Sequence, residues 1–332
     1  MIKNTDQDEK TLLKSEFAEA VRIGLTASPK VIPSRFFYDE RGSELFDKIT
    51  NLPEYYLTRA ELENLKNNAD LIASHLQNFD AEIYELGAGN GEKAEIILKA
   101  VQKVSSCTFC PVDISMSALE TLRDRLAPLG IEQKLLHTTF DRLPAIIREQ
   151  ALNRKREKQY RRMVVFLGSN IGNLSLPAAQ TFLATIYSAL ERDDLLLLGF
   201  DLKKDIPTMV NAYSDSQNVT RDFNLNLLSR MNRELGANFD TEKFMHYAYY
   251  NPHLGAMESH LVAREACEIH LAELNLQVQF KEWESIRTEY SHKYNVSEMC
   301  GLANSAGLLE VATFFDSKKR FCNILFKAGE PV

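Results

Sequence analysis

Glu85-Leu86-Gly87-Ala88-Gly89-Asn90-Gly91 is the stretch that decides the predicted fold of this chain. It comes directly after the apolar run AEIY and directly before a helical pattern that begins near Glu92. Glycines let a chain turn tightly and let its backbone approach a ligand. A strand, a glycine-rich turn and a helix in this order predict the first unit of a ligand-binding α/β sheet.

Short apolar runs alternate with helical stretches on both sides of this turn. The runs are apolar throughout, as expected for strands that are covered on both faces. Their alternation with helices predicts parallel βαβ units and an open, doubly wound sheet, with the loops after each strand along one ligand-binding edge. The predicted strands are 81–87, 108–114, 134–140, 163–168 and 194–200.

The residues before and after this alternation follow other patterns. Thr58 and Glu61 have the spacing of a capping box, which predicts a helix that ends near Leu76. A helix at 219–236 and contiguous strand-like runs predict an inserted lobe with an antiparallel sheet. Those runs are 244–250, 258–268 and 273–283, and a helix near 297–306 with strands near 308–315 and 321–327 would close the main sheet through an antiparallel hairpin.

The totals exclude several classes of protein. The 332 residues carry a formal net charge of −7, which does not favour binding to nucleic acid. The basic run at 154–162 is interpreted as a solvated face. No apolar run approaches the roughly 20 residues that cross a bilayer, and the N-terminus has no apolar signal core, so we expect a cytoplasmic protein. The seven histidines and five cysteines show no metal-binding spacing, and the CxxC of Cys107 and Cys110 is interpreted as buried thiols.

The turn at 87–91 favours one cofactor over another. A dinucleotide fingerprint needs a third glycine where this chain has Glu92, and a carboxylate there would repel a pyrophosphate. The pattern ELGxGxG instead suits S-adenosylmethionine, which has a sulfonium cation and no phosphate. A Rossmann oxidoreductase that uses NAD is therefore the disfavoured alternative, and a nonenzymatic S-adenosylmethionine sensor is a third.

Side chains near the predicted strand ends can complete a site for S-adenosylmethionine. Asp113 ends the second strand and can accept hydrogen bonds from both ribose hydroxyls, although alone it can also cap the next helix. Thr139 and Phe140 end the third strand, where the adenine is expected. Lys93 can pair with the methionine carboxylate, or remain solvated. Gly87 begins the turn itself.

The segment GSNIGN, residues 168–173, follows the fourth predicted strand. Its glycines and asparagines suggest a backbone shaped around a ligand, and the amide of Asn173 can both donate to and accept from an amino acid. The alternative is a plain turn with asparagines in the left-handed conformation.

Five segments resemble the L-histidine Nα-methyltransferases of ergothioneine biosynthesis, a family that also includes fungal indole-amine N-methyltransferases. They span nearly the whole chain in matching order. The segments are FFYDERGSELFDKITNLPEYYLTRAE (36–61), ELGAGNGEK (85–93), FLGSNIGNL (166–174), AYSDSQNVTRDFNLNLLSRMNRELGANFD (212–240) and IRTEYSHKY (286–294).

The resemblance implies a Rossmann-like class I methyltransferase sheet with an inserted α+β substrate-binding lobe. It divides the chain into an N-terminal segment that contributes to the active site (1–60), the cofactor-binding core (61–200), the substrate-binding lobe (201–295) and closing elements of the core (296–332). It also implies methylation of the α-amine of histidine, in three successive transfers to the betaine. The partners expected are a small amino acid and no nucleic acid or membrane, and the protein is expected to be a monomer.

The resemblance assigns substrate contacts residue by residue. Tyr55 and Tyr213 would hold the carboxylate and Asn173 would lie near the amine. Glu289 and Ser291 would contact the imidazole, with Tyr38 nearby. Glu289 and Ser291 are two apart, so on an extended segment they point to one face; read alone, Glu289 pairs equally well with Arg287 or Lys293.

One position departs from the family pattern. Ser259 stands where a methionine is expected to pack against the imidazole, so the exact acceptor stays open. Another amine, such as an indole amino acid, is the alternative within the same family. The sequence offers no strong base, so we expect Asn173 and the tyrosines to orient the amine while solvent takes its proton.

Overall fold

The computed structural model of the 332-residue chain describes residues 5–152 and 159–329. The chain divides into two compact units, each made of two separated segments. We call Met1–Tyr56 with Lys204–His292 the lobe unit, and Leu57–Lys203 with Lys293–Val332 the sheet unit.

Helices and strands cover most of the described residues. The helices are α1 (Thr5–Thr26), α2 (Glu40–Thr50), α3 (Tyr56–Ser74), α4 (Glu92–Val101), α5 (Met116–Leu126), α6 (Leu143–Leu152), α7 (Leu176–Ala189), α8 (Ile206–Tyr213), α9 (Val219–Leu235) and α10 (Val296–Ser305). The strands are β1 (Lys30–Val31), β2 (Asp80–Leu86), β3 (Cys107–Asp113), β4 (Glu132–Gln133), β5 (Leu136–His137), β6 (Tyr160–Phe166), β7 (Leu195–Asp201), β8 (Phe244–Asn251), β9 (Ala256–Ala263), β10 (Cys267–Leu271), β11 (Leu276–Phe280), β12 (Ser285–His292), β13 (Leu308–Phe315) and β14 (Phe321–Ala328).

The sheet unit contains one eight-stranded sheet in the order β13-β14-β7-β6-β2-β3-β4, with β5 also paired to β3. Strands β2 to β7 run parallel, whereas β14 is antiparallel to β7 and β13 is antiparallel to β14. Since β2 lies at the centre and the order reverses beside it, the turn after β2 is at the topological switch point. The predicted α/β fold with an antiparallel closing hairpin is confirmed.

The two faces of this sheet are covered by separate hydrophobic clusters. Along β7, Leu195 and Leu197 belong to one cluster and Leu196 and Leu198 to the other, because successive side chains point to opposite faces. Helices α3, α4 and α5 contribute to the first cluster, and α6, α7 and α10 to the second. A strand buried on both faces needs no polar residue, which explains the apolar run of β7.

Two predictions for the sheet unit are wrong. The run 134–140 is not a single strand: β4 and β5 occupy the edge beside β3, and Phe140 begins a 3-10 turn that follows Thr139. An edge strand has one pairing neighbour, so short interrupted pieces suffice there. The capping box is also wrong, because α3 begins at Tyr56 and Thr58 lies inside the helix.

The lobe unit contains an antiparallel sheet in the order β12-β9-β8, to which β1 adds a parallel edge strand. Helix α9 buries Phe223, Leu227, Met231 and Leu235, spaced four residues apart, in the same cluster as Phe17 of α1. The prediction of an antiparallel sheet is confirmed, but its third strand is β12, and the run 273–283 instead contributes β11, which pairs with β10. The run 258–268 divides into β9 and β10, because β9 pairs with β8 and β12 whereas β10 pairs with β11.

Part of the basic run at 154–162 lies outside the described residues. Arg161 and Arg162 are described, and they do not form a solvated face: Arg161 lies 3.9 Å from the ring centre of Phe79, and Arg162 is buried and bonded to Asp194 at 2.9 Å. Across the described part of the chain, no helix has the length and apolar character needed to span a membrane.

Candidate active site

The turn after β2 is shaped by three glycines in the sheet unit. Gly87, Gly89 and Gly91 have φ angles of +66°, +55° and +77°, in the left-handed region that strains other residues. A Cβ at Gly91 would lie 2.3 Å from Leu122 Cδ1, so packing excludes a side chain there. A Cβ at Gly89 would meet nothing within 4 Å, so the turn borders open space at that point.

The end of β3 and the segment after β5 lie beside this turn. The amide of Gly87 donates to the carbonyl of Val112 at 3.0 Å, and a Cβ at Gly87 would lie 3.8 Å from Phe140 Cζ. Asp113 accepts from the amide of Ser115 at 2.9 Å, but the side chain of Ser115 caps α5. Asp113 is therefore not the helix cap that it can be when read alone. Thr139 is exposed at the start of the 3-10 turn.

A buried carboxylate joins the turn region to the loop after β6. Glu61 Oε2 lies 2.5 Å from Lys93 Nζ, and both oxygens of Glu61 accept from the amide of Gly168, at 3.0 and 2.9 Å. Lys93 is therefore paired within the protein rather than fully solvated. Glu61, predicted as a capping residue, instead connects α3 to α4 and to the loop at 168–173.

The loop at 168–173 leaves β6 through two residues with positive φ, Gly168 at +79° and Ser169 at +59°. The alternative interpretation, a plain turn with asparagines in the left-handed conformation, is therefore wrong. Ser169 Oγ accepts from the amide of Asp201 at 3.0 Å, and the carboxylate of Asp201 pairs with Lys293 at 3.0 Å, with both charged side chains fully buried. The loop ends in a 3-10 turn at Asn170–Asn173, where Asn173 is exposed.

In the lobe unit, Tyr38 lies between a 3-10 turn at Ser34–Phe37 and α2. Asp39 fixes this junction, because its side chain caps α2 through the amide of Gly42 at 2.7 Å and accepts from Asn226 of α9 at 2.8 Å. The motif FFYD thus anchors the backbone beside Tyr38 to α9.

Aromatic rings gather around Tyr38. Its ring centre lies 5.4 Å from that of Phe46 and 5.8 Å from that of Phe223, both edge to face. Phe46 in turn lies 6.1 Å from Tyr55. These distances are those of favourable aromatic pairs, so the four rings form one cluster, which we call the aromatic cluster.

Glu289 and Ser291 lie on β12, two residues apart, and pair in register with Ser259 and Met257 of β9. Ser259 is fully buried, and its hydroxyl donates to Glu289 Oε2 at 3.4 Å. Alternation along a strand places Glu289 and Ser291 on the same face, as predicted for an extended segment. Arg287 stacks on Tyr290 at 4.3 Å and Lys293 pairs with Asp201, so the structure gives both cations other contacts than Glu289.

Tyr38, Glu289 and Tyr213 influence one another within the lobe unit. Desolvation of its hydroxyl raises the pKa of Tyr38 well above the usual range, and the nearby Glu289 and Tyr213 raise it further. Tyr38 is therefore a protonated hydrogen-bond donor at neutral pH.

The segments that carry Tyr55 and Tyr213 are tied together. Ser216 Oγ donates to Glu54 Oε1 at 2.6 Å, which joins the residue before Tyr55 to the segment that follows Tyr213. Asp215 accepts from the amides of Gln217, Val219 and Thr220 and so closes the turn into α9. The lobe unit thus brings Tyr38, Tyr55, Tyr213 and Glu289 from four separated parts of the sequence into one region.

A family model described as histidine-specific methyltransferase, SAM-dependent, matches residues 17–328. The chain belongs to this family of S-adenosylmethionine-dependent methyltransferases. It is similar to the histidine N-alpha-methyltransferase of Mycolicibacterium smegmatis, with 39% identity over 89% of this chain and 90% of the relative.

Two further relatives are named for other roles. The ergothioneine biosynthesis protein 1 of Schizosaccharomyces pombe is 31% identical over 86% of this chain and 37% of the relative. The 4-dimethylallyltryptophan N-methyltransferase of Trichophyton verrucosum is 27% identical over 94% of each chain. The chain is thus an S-adenosylmethionine-dependent N-methyltransferase.

The sheet unit fits S-adenosylmethionine by its chemistry. Gly89 borders open space, and Glu85 Oε2 is buried without accepting a hydrogen bond from the described residues. The first turn of α4 carries Glu92 and Glu95, which suit a cationic sulfonium and oppose a pyrophosphate. Membership of a family of S-adenosylmethionine-dependent methyltransferases excludes the alternative of an NAD-dependent oxidoreductase.

Several contributors to this region were not identified from the sequence. The sequence pattern assigns Glu61 to helix capping, and it gives no separate role to Glu85, Phe46 or Phe223 and does not predict the pairing of Asp201 with Lys293. The apolar neighbours of Glu85 and the position of Lys293 inside RTEYSHKY were the available signals.

Among the described residues, no group of three or more His, Cys, Asp or Glu is arranged to hold a metal ion. Burial raises the pKa of Cys107, in the CxxC, to about 11.

Proposed function

We propose that this protein methylates the α-amine of L-histidine, in three successive transfers, to give the trimethylated betaine hercynine. The proposal is supported by the histidine-specific family and by the relative named histidine N-alpha-methyltransferase. The observation that carries it is the pairing of a carboxylate and a hydroxyl, Glu289 and Ser291, on one face of β12.

Glu289 and Ser291 suit an imidazole because the ring has one N–H and one acceptor nitrogen when neutral. The carboxylate accepts the N–H, and the hydroxyl of Ser291 donates to the second nitrogen. Ser259 donates to Glu289 and so helps to fix the orientation of its carboxylate. An indole has a single N–H and no acceptor nitrogen, so it leaves the hydroxyl of Ser291 without this partner.

The zwitterionic end of the substrate is assigned to other residues. The hydroxyls of Tyr55 and Tyr213 donate to its carboxylate, and the amide of Asn173 accepts from its amine. On the cofactor side, Asp113 binds the ribose hydroxyls, Thr139 and Phe140 contact the adenine, Lys93 pairs with the methionine carboxylate, and Gly87 lets the backbone approach.

S-adenosylmethionine supplies a methyl group on a sulfonium, so one S–CH₃ bond breaks as one N–CH₃ bond forms. The protein must present the amine in its neutral form and in line with that methyl. The hydroxyl oxygen of Tyr38 accepts an N–H of the amine, so the nitrogen lone pair stays free to attack the methyl carbon, and solvent takes the proton that the amine loses. Asn173 completes this orientation.

Repeated transfer ends in a quaternary, permanently cationic nitrogen. Aromatic faces attract such a cation, by roughly 0.5–2 kcal/mol for each contact depending on desolvation. The aromatic cluster of Tyr38, Phe46, Tyr55 and Phe223 supplies these faces. It supports trimethylation, because each added methyl increases the contact instead of causing repulsion.

The test is incubation of the purified protein with labelled S-adenosylmethionine and a panel of amino acids, followed by mass analysis of the products. We expect histidine to gain one, two and finally three labelled methyl groups. Accumulation of a monomethyl product, or transfer to another amino acid in preference to histidine, would overturn the proposal.

A second candidate substrate is an indole amino acid, favoured by one observation. Ser259 is smaller than the methionine expected at that position and leaves more space beside Glu289. Competition between histidine and tryptophan, in the natural protein and in Ser259→Met, separates the candidates. Histidine should be methylated in preference to tryptophan by the natural protein and by Ser259→Met. The substitution should also reduce any residual methylation of tryptophan.

The cytoplasmic location and the monomeric state stay predictions from the sequence. Cell fractionation and light scattering of the purified protein test them, and a dimer in solution would contradict the second.

A further inference from the structure

Glu61 is one of the most deeply buried charged groups of the sheet unit, with 1% of its side chain exposed. It reaches from α3 to Lys93 of α4 at 2.5 Å and to the amide of Gly168 through both of its oxygens. Asn323 of β14 adds a longer contact at 3.4 Å. A buried charge persists only when partners of this kind offset its desolvation.

The surrounding backbone is built to admit this carboxylate. A Cβ at Gly199 of β7 would lie 2.3 Å from Glu61 Oε1, so an alanine there would displace it. This explains the single glycine in the otherwise apolar run LLLLGF. At this position β7 has no side chain, and the carboxylate of Glu61 occupies the space. This indicates that Glu61 has a role beyond the packing of α3.

A second buried acid, Glu85, lies near Glu61 and Lys93. Glu85 is buried at the end of β2, and desolvation raises its pKa to about 8, with Lys93 opposing and Glu61 adding to the shift. At neutral pH Glu85 is therefore mostly protonated, and the carboxylate in contact with Lys93, at 2.5 Å, is that of Glu61.

The two groups that Glu61 holds belong to different parts of the proposed reaction. Lys93 is the proposed partner of the methionine carboxylate, and Gly168 begins the loop that ends at Asn173. A free lysine loses up to roughly 2 kcal/mol of side-chain entropy when it is ordered. A lysine already held by Glu61 loses less on binding, so the pair is preorganised.

We propose that Glu61 is a positioning residue that fixes the ammonium of Lys93 and the amide of Gly168, and thereby sets the affinity for the carboxylate of the cofactor's amino-acid tail. The inference rests on the proposed contact between Lys93 and that carboxylate. Glu61 acts through Lys93 and does not touch the cofactor itself.

The experiment compares two ligands by calorimetry: S-adenosylhomocysteine, which has the amino-acid tail, and 5′-methylthioadenosine, which lacks it. Glu61→Gln keeps the shape but removes the charge. We expect it to weaken S-adenosylhomocysteine about tenfold, because Lys93 must then be ordered on binding, and to leave 5′-methylthioadenosine unchanged. The KM for S-adenosylmethionine should rise by the same factor, with a smaller change in the KM for the acceptor.

Gly199→Ala provides a second route, because it displaces the carboxylate without changing any charge. The same selective loss is expected, which keeps the test valid if Glu61→Gln does not fold. Asp194→Asn is the matched control: Asp194 is also a buried carboxylate, paired with Arg162 at 2.9 Å before β7 rather than beside the turn. It should lower Tm while leaving the ratio of the two affinities unchanged.

Equal weakening of both ligands by Glu61→Gln, or no change in either, would overturn the inference, as would the same selective loss in Asp194→Asn. Lys93→Met separates the inference from its premise. If Lys93→Met loses affinity selectively and Glu61→Gln does not, only the role of Glu61 fails. If the natural protein binds S-adenosylhomocysteine but does not methylate histidine, the proposed function fails and the role of Glu61 stands.

Discussion

The residues assigned to the cofactor in the sheet unit and those assigned to the substrate in the lobe unit are held in place by different means. In the sheet unit the residues assigned to the cofactor lie on or just after the ends of consecutive elements, and the turn at 87–91 acts through its backbone. In the lobe unit the residues assigned to the substrate are side chains from α2, α8 and β12 and from the loops near Tyr38 and Tyr55. The first arrangement depends on local conformation, and the second on long-range packing.

The two units therefore differ in the amino-acid substitutions that they tolerate. A turn made of glycines fails when a side chain enters it, whatever that side chain is. A region made of tyrosines, a carboxylate and a hydroxyl fails only when the particular group is replaced. Substitutions that preserve shape should therefore distinguish the two units.

The largest effect is expected at Glu289. Glu289→Gln keeps the shape and removes the charge that the imidazole N–H is proposed to meet, so kcat/KM for histidine should fall about 100-fold, the upper range for a charged hydrogen bond. Glu258→Gln is the control. Glu258 precedes Ser259 on β9, so its side chain lies on the face of the sheet opposite to Glu289. Its buried carboxylate is bonded to Asn251 and His260. Steady-state kinetics with histidine measure both variants. Comparable losses in the two would place the effect in the sheet rather than in the substrate contact.

A smaller effect is expected at the glycine turn. Gly89→Ala and Gly130→Ala introduce the same methyl group at φ angles of +55° and +65°, each with nothing within 4 Å of the new Cβ. Both should lose about 1 kcal/mol of unfolding free energy from backbone strain. Only Gly89→Ala should also weaken S-adenosylhomocysteine, by about tenfold, because its methyl enters space assigned to the cofactor.

Calorimetric binding and thermal unfolding of the two glycine variants measure these effects separately. Equal affinity in both variants would contradict the assignment of the turn to the cofactor.

The smallest effect is expected in the pH dependence of stability, with opposite signs in the two units. In the sheet unit, burial raises the pKa of Glu85 to about 8, so the folded state retains a proton that the unfolded state loses from about pH 4.5 upward. Its contribution to stability is complete below that pH and is lost as the pH rises toward 8. In the lobe unit, burial lowers the pKa of His246 to about 4, with Asp215 opposing and His260 adding to the shift. Its contribution is present above about pH 6.5 and is lost as the pH falls toward 4.

Glu85→Gln should therefore flatten the alkaline side of the profile of Tm against pH, and His246→Gln the acid side, each by a few degrees. Thermal unfolding from pH 4 to pH 9 measures both sides. Parallel profiles for Glu85→Gln and the natural protein would show that Glu85 is charged throughout and would remove the protonated acid from the environment of Lys93.

Much of the fold could be predicted because its signals are local. The apolar runs, the turn at 87–91 and the closing hairpin each follow from neighbouring residues and from the periods of strands and helices. The predictions are wrong where the local structure does not follow from neighbouring residues in the sequence. The edge strand at 134–140 is interrupted because one pairing partner suffices there, and Glu61 has the spacing of a capping residue although α3 begins earlier.

The α/β class, the antiparallel lobe and the family could be predicted from the amino-acid sequence, since they depend on short-range patterns and on motif order. Only the tertiary structure decided that Glu61 reaches Lys93 and Gly168, that Phe46 and Phe223 join Tyr38, and that Ser259 donates to Glu289. Except for Tyr38 and Phe46, which are eight residues apart, each of these contacts joins residues that are far apart in the chain. Side-chain charge and shape become decisive only after packing removes water and fixes the partner, and no local pattern in the sequence records that step.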